Sequence, residues 1–182
     1  MMEKELLSLV KARRSTRQFS GEHISDETVQ AILEIAAYAP SSKGRHPMEF
    51  VVIRDKHTLE ELGRCKAMGA GPLPYSDVAI VPVINRQGWA SELWIEDAAI
   101  ASAYILLAAE AYGVGACWIH MRDRKGHTGM AEEDIRALLG IPDHYNIVNA
   151  VSLGVKKEPS QPRELEAVVH YERFDPERGQ QI

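Results

Sequence analysis

Between residues 13 and 17 the chain reads Arg13-Arg14-Ser15-Thr16-Arg17, three guanidiniums and two hydroxyls in five positions. Arginine forks meet phosphate oxygens two at a time and the hydroxyls add donors, so this stretch predicts an anion clamp. The same residues also suit a solvated helix end, because cations are favoured at a helix C-terminus. A second stretch, Ala39-Pro40-Ser41-Ser42-Lys43-Gly44-Arg45-His46-Pro47, joins a helix stop to a strand start. Such a loop can bring backbone amides and side-chain donors against a flat polar ring, and taken alone it is also an ordinary turn-rich connector. Cys65 and Cys117 make neither a disulfide framework nor a metal motif. Cys117, beside Trp118 in an apolar run, reads as a small buried hydrophobe rather than a redox thiol. His120, His127, His144 and His170 lack metal-ligand spacing, so no metal site is expected. Trp89 and Trp94 read as packing against a helix, and Lys156-Lys157 as an exposed charged turn.

The elements that would position these groups follow from periodicity. Residues 3–12 place Leu6, Leu7, Leu9 and Val10 at helical spacing. Ser25 is a good N-cap for a second helix, Asp26 and Glu27 suit its positive end, and Pro40 lies past its stop. Phe50–Ile53 and Val78–Ile84 predict buried strands, with Pro82 arguing against a fully paired interior position. A helix is expected over 58–66 and a loop over 69–74. Ile95–Tyr112 is alanine-rich and apolar nearly all round, which predicts a helix buried on most faces. Strands over 116–120 and 148–154 and a helix over 132–139 ending at Gly140 complete the pattern. Two helices precede the first strand and the alternation is irregular, so the class is α+β with a helix-covered sheet. The charged tail after Gly154 carries an apolar patch, Leu165, Val168 and Val169, suited to packing on a second subunit.

Length and composition bound what such a chain can do. The 182 residues make a single domain, 45% hydrophobic and 26% charged, which excludes disordered and fibrous classes. A net charge of -5 argues against a general affinity for nucleic acid. The N-terminus lacks a signal-peptide layout, and the apolar run from Ala98 to Ala109 is too short for a membrane span. No membrane partner and a cytoplasmic location are the expectations.

The pattern R-x-S-x-R-x-F at Arg13 to Phe19, followed by A-P-S-S and H-P between Ala39 and Pro47, resembles the nitroreductase family of FMN enzymes. The run from Ile95 through Gly113-Val114-Gly115 to Trp118 is similar to the family's long helix and following strand. Leu153-Gly154 with Pro162 to His170 resembles its C-terminal signature. The similarity covers nearly the whole chain in order.

The resemblance implies a three-layer α/β/α fold with a mixed, mainly antiparallel sheet in an intertwined homodimer. It implies one domain over 1–182, with 155–182 extending onto the partner. Arg13, Arg14, Ser15, Arg17 and Arg163 would hold the FMN phosphate and ribityl end. Pro40, Ser41 and Ser42 would line the flavin from across the interface, and Trp118, Ile119 and His120 would lie beside the ring, largely through backbone. The family's Asn and Gln in the second loop are replaced by Gly44 and His46, which makes His46 the residue expected to tune the flavin. NADH or NADPH would reduce the cofactor, which would then reduce a small electron-poor acceptor such as a nitroaromatic or quinone by ping-pong turnover. Specialised flavin chemistry (dehalogenation, azoline oxidation, flavin cannibalism), a flavin sensor or store without turnover, and a phosphate-binding module are the alternatives.

Overall fold

Every residue of β2 (Val78–Asn85) from Val78 to Ile84 is buried, which requires a strand covered on both faces. Side chains alternate along a strand, and here the alternation sorts them into two cores. Val78 and Ile80 meet Val29 and Ile32 of α2 (Asp26–Ala37) and Ile105 and Ala109 of α4 (Trp94–Ala111). Ala79, Val81 and Val83 meet Leu59 and Leu62 of α3 (Lys56–Arg64) and Ala131 and Ile135 of α5 (Ala131–Leu139). The result is the expected α+β sheet between two helical layers. This computed structural model describes residues 2–87, 92–177 and 179–182, so Trp89 lies outside the described residues.

The sheet order is β1 (Met48–Ile53), β2, β5 (Asn149–Val155), β3 (Val114–His120), with every named pairing antiparallel. A short β4 (Tyr145–Ile147) pairs β2 in line with β5. That break resolves the Pro82 warning. β5 pairs β2 through Val78–Ile80 and β4 through Val83–Asn85, so Val81 and Pro82 face the interruption between the two strands. A proline is tolerated where no ladder donor is needed.

Local chemistry sets the helix ends. The Thr28 amide donates to the Ser25 hydroxyl at 3.2 Å and the Thr58 amide to the Asp55 carboxylate at 2.8 Å. Gly140 ends α5 in the left-handed region at φ 66. In the tail, β6 (Val168–Val169) and β7 (Gln180–Gln181) pair as a small ribbon that periodicity does not predict. Nearer its start, the Arg163 amide donates to the Lys11 carbonyl at the end of α1 (Met2–Ala12), at 3.1 Å. α4 is less enclosed than its composition suggests. Ala101, Ser102, Ile105 and Ala108 are buried, whereas Ala99, Ile100 and Ala103 face outward.

The segment from Ser15 to Ser20 lies across the ends of β3 and β5. Ser15 makes a parallel bridge to Ala116, Phe19 an antiparallel one to Lys156, and the Ser20 amide donates to the Val155 carbonyl at 2.9 Å. Two glycines permit the approach. A Cβ at Gly115 would stand 2.7 Å from the Thr16 methyl, and one at Gly154 would stand 2.4 Å from the Phe19 ring. We predict that Gly154→Ala destabilises the protein by about 1–3 kcal/mol through this overlap. A lowered urea midpoint would bear that out; an unchanged midpoint would mean that Phe19 does not pack there.

Candidate active site

The end of α1 delivers Arg13 and Arg14 to the outer edge of the sheet. The Thr16 amide donates to the Ala116 carbonyl at 2.9 Å, which fixes the clamp beside β3. One Arg14 nitrogen donates to the Arg13 carbonyl at 2.6 Å, and its other terminal nitrogen is buried with no partner among the described residues. An orphaned buried guanidinium nitrogen asks for an external acceptor. Burial raises the Cys117 thiol pKa, and the charges of Arg17 and then Arg13 oppose that rise, so both guanidiniums act on the same stretch of β3. The Arg163 backbone bond to Lys11 and an ion pair between Lys11 and Glu164 at 2.7 Å bring the tail's arginine to the clamp's side.

Further along β3 the backbone itself is available. In a strand, the N–H and C=O of one residue point to the same side. The Ala116 carbonyl points outward to Thr16, so Trp118 and His120 present their backbone groups on that same open edge. Their side chains stack, with ring centroids 5.3 Å apart, and Trp118 is 38% exposed. Ile119 points the other way: its side chain is 2% exposed in the α3–α5 core and its backbone faces β5, so it backs the edge rather than lining it. Burial holds the His120 pKa below its usual value. Arg124, Arg122 and Lys66 push in the same direction, partly opposed by Asp123. Its Nδ1 is buried and has no partner among the described residues.

The Pro40 to His46 loop sits elsewhere, leading into β1 at the opposite edge of the sheet. The Ser42 amide donates to the Asp97 carboxylate at 2.7 Å, and the His46 amide to the Ser41 hydroxyl at 2.7 Å. Lys43, Gly44 and His46 all have positive φ, near 55, 64 and 48. The exposed His46 lines a cavity of about 460 Å³ with Arg45, Met48, Glu49 and Asn85. One chain therefore carries two separate groups of the expected site residues, one on each edge of its sheet.

The sequence profile of the nitroreductase family matches residues 10–76 and 85–155, which include the clamp, the serine loop and the β3 edge. The chain belongs to the nitroreductase family. A relative from Archaeoglobus fulgidus, named as a candidate NADH dehydrogenase/NAD(P)H nitroreductase, is 33% identical over 96% of this chain and 95% of its own. An NADH dehydrogenase of Thermus thermophilus is 29% identical over 86% of this chain and 91% of its own. Among solved structures, an FMN-dependent nitroreductase from Clostridium difficile R20291 superposes with a TM-score of 0.86 at 34% identity, covering 92% of this chain and 99% of that one.

Against the nitroreductase pattern, Gly44 preserves backbone geometry. Its φ of 64 lies in the left-handed region, which glycine and asparagine both tolerate. Two residues that spacing did not reveal help to hold the site. Asp97 is 2% exposed and anchors the serine loop; the signal was an acid at the head of an otherwise apolar helix. Lys156 is a correction, because it is not an exposed turn residue. It pairs with Glu110 at 2.6 Å, with the two side chains 12% and 10% exposed, since the Phe19 bridge draws it over α4. Among the described residues no group of three His, Cys, Asp or Glu is placed to hold a metal.

His120 offers a direct check on the electrostatics of the edge. Its neutral form is favoured, so its contribution to stability is present above the ordinary histidine pKa of about 6.5 and fades as pH falls through the depressed folded value. NMR titration of the imidazole should give a midpoint below about 6.5. A midpoint at or above that value would overturn the account of the basic surroundings.

Proposed function

We propose that this protein is an FMN-dependent oxidoreductase that works as a homodimer, reducing small electron-poor acceptors with NAD(P)H. The observation that carries this is the separation of the two residue groups to opposite edges of one chain's sheet. In a two-fold pair, the clamp edge of one chain can meet the serine loop of its partner, so that each site is completed by both copies. Exposed Leu6, Leu7 and Val10 on α1, and the outward Ile100 of α4, supply apolar surface for such a contact.

The residues fit the cofactor. Arg13, Arg17 and Arg163 offer charged donors for a phosphate, the unpaired Arg14 nitrogen lacks an acceptor that a phosphate would supply, and Ser15 adds a hydroxyl. The open backbone of Trp118 and His120 suits the polar edge of a flat ring, while Pro40, Ser41, Ser42 and His46 would approach from the partner. Held there, FMN would supply the hydride chemistry, linking NAD(P)H to the acceptor in a ping-pong cycle. The protein's part is to orient and to set charge. A neutral His120 can donate or accept one hydrogen bond without adding a full positive charge. His46 would add a donor to the ring from across the interface. No nucleophile or general base is required of the chain. Two unpaired, buried cysteines accord with a reducing compartment, which we take to be the cytoplasm.

The test is the visible spectrum of the protein after FMN is added and the excess removed. Retained flavin that bleaches with NADH or NADPH under argon is the expected result, and a colourless protein would sink the proposal. Arg13→Ala and Arg17→Ala should each weaken FMN binding by about tenfold or more, because each removes a charge-assisted hydrogen bond. Unchanged affinity in both would refute the phosphate assignment. Sedimentation should give a dimer, and a monomer that still holds FMN would refute the shared site.

A further inference from the structure

A cavity of about 440 Å³ opens between the loop after α3 and the loop after β3, lined by Lys66, Ala67, Met68, Arg124 and Lys125. Its walls are tied together by backbone. The Ala67 amide donates to the Lys125 carbonyl at 3.0 Å, the Arg124 amide to the Met121 carbonyl at 3.2 Å, and the Ala131 amide to the Arg124 carbonyl at 2.9 Å. Gly69, at φ 86, turns the first loop back, and the site of its missing Cβ is 3.4 Å from the Lys66 Nζ.

The three cations of this cavity have no ion pair among the described residues, in a chain whose net charge is -5. The nearby acids have other partners, with Glu132 Oε2 alone left buried and unpartnered among the described residues. Asp123 holds Arg122, Glu61 holds Arg64, Asp134 accepts from the His127 and Thr128 amides, and Glu132 accepts from the Asp123 amide. The cavity also adjoins the open edge of β3. Met121, which anchors Arg124, directly follows His120, and the charges of Lys66 and Arg124 both act on that ring. Met68 is 82% exposed on the rim and supplies a soft apolar contact.

We propose that Lys66, Arg124 and Lys125 bind the carboxylate or sulfonate of a small aromatic acceptor, so that the enzyme prefers acidic acceptors to neutral ones of the same size. This rests on the flavin oxidoreductase reading, since the cavity gains its role from a ring lying against the β3 edge. The acceptor's own charge is the fitting occupant. The 2′-phosphate of NADPH is separated from its nicotinamide by two riboses and a pyrophosphate, too far to share a cavity next to the reacting face. For a nitroaromatic, NAD(P)H, one proton and the nitro compound give NAD(P)⁺, the nitroso compound and water, a two-electron reduction.

Two measurements on the FMN-loaded protein test this. Titration by ¹⁹F NMR should show 4-fluorobenzoate binding about tenfold tighter than 4-fluorobenzamide, with the advantage shrinking as salt rises. In turnover, kcat/KM for 4-nitrobenzoate over 4-nitrobenzamide should show the same preference. Lys66→Met with Arg124→Gln should abolish the preference in both measurements, and Lys66→Arg should keep it. Equal binding of acid and amide would overturn the proposal, as would a preference that survives the double variant. So would a variant whose only change is a raised KM for NADPH, which would give the cavity to the dinucleotide. Failure of the flavin reading is seen separately, as a wild-type protein that retains no FMN.

Discussion

The close approach of the Ser15–Ser20 segment to β3 and β5 is the contact on which the rest of the site depends. Phe19 rests where the Gly154 side chain would be, and Thr16 where the Gly115 side chain would be. With those two positions bare, the segment continues the sheet by a bridge at Ala116 and another at Lys156. Its arginines are thereby set beside the β3 edge, whose backbone is otherwise open further along. Larger side chains at either glycine would lift the segment away and take the clamp with it. Site geometry here is a consequence of packing.

The distribution of charge follows from the same arrangement. Several cations in this acidic chain have acidic partners: Arg54 with Asp26 and Asp77, Lys156 with Glu110, Arg136 with Asp143. Around β3 the balance is different. Arg13 and Arg17 act on Cys117, while Lys66, Arg122 and Arg124 act on His120, so one edge carries a positive field along its length. Like charges near a surface repel by about 4 kcal/mol at 4 Å, so a sequence that gathers more cations than acids forgoes stability unless an anion arrives. Burial of Cys117 and depression of the His120 pKa keep neutral groups neutral inside that field, leaving the arginines and lysines as its source.

How much of this the sequence disclosed depends on whether the determining contacts were local. Ser25, Gly140 and the buried runs of β2 and β3 act through neighbours in the chain, and their elements fell where periodicity put them. The arginine stretch and the serine loop stand out as candidates in the sequence, because their residues are contiguous. β4 and the β6–β7 ribbon do not, since two or three residues carry no period. Pro82 misled in part because its tolerance comes from a break in a distant partner strand. Lys66 and Arg124 belong to different loops, joined by a single amide from Ala67 to Lys125, and nothing in either stretch announces the other. The inward-facing Asp97 carried a faint signal, and only its bond to Ser42 gives it a role.

The two faces of α4 lead to the last inference. A helix that is apolar nearly all round is stable in water only if both sides are covered. Within one chain, Ile105, Ala108 and Ala109 pack against α2 and the sheet, while Ala99, Ile100 and Ala103 stay bare. The head of this helix holds the serine loop through Asp97, and α1, which ends in the clamp, also leaves Leu6, Leu7 and Val10 exposed. In the proposed dimer, the apolar surface a second copy would cover is attached directly to both parts of the site. On that proposal, covering the surface and completing the site would be the same event, so cofactor retention and dimer stability should be thermodynamically linked, each strengthening the other.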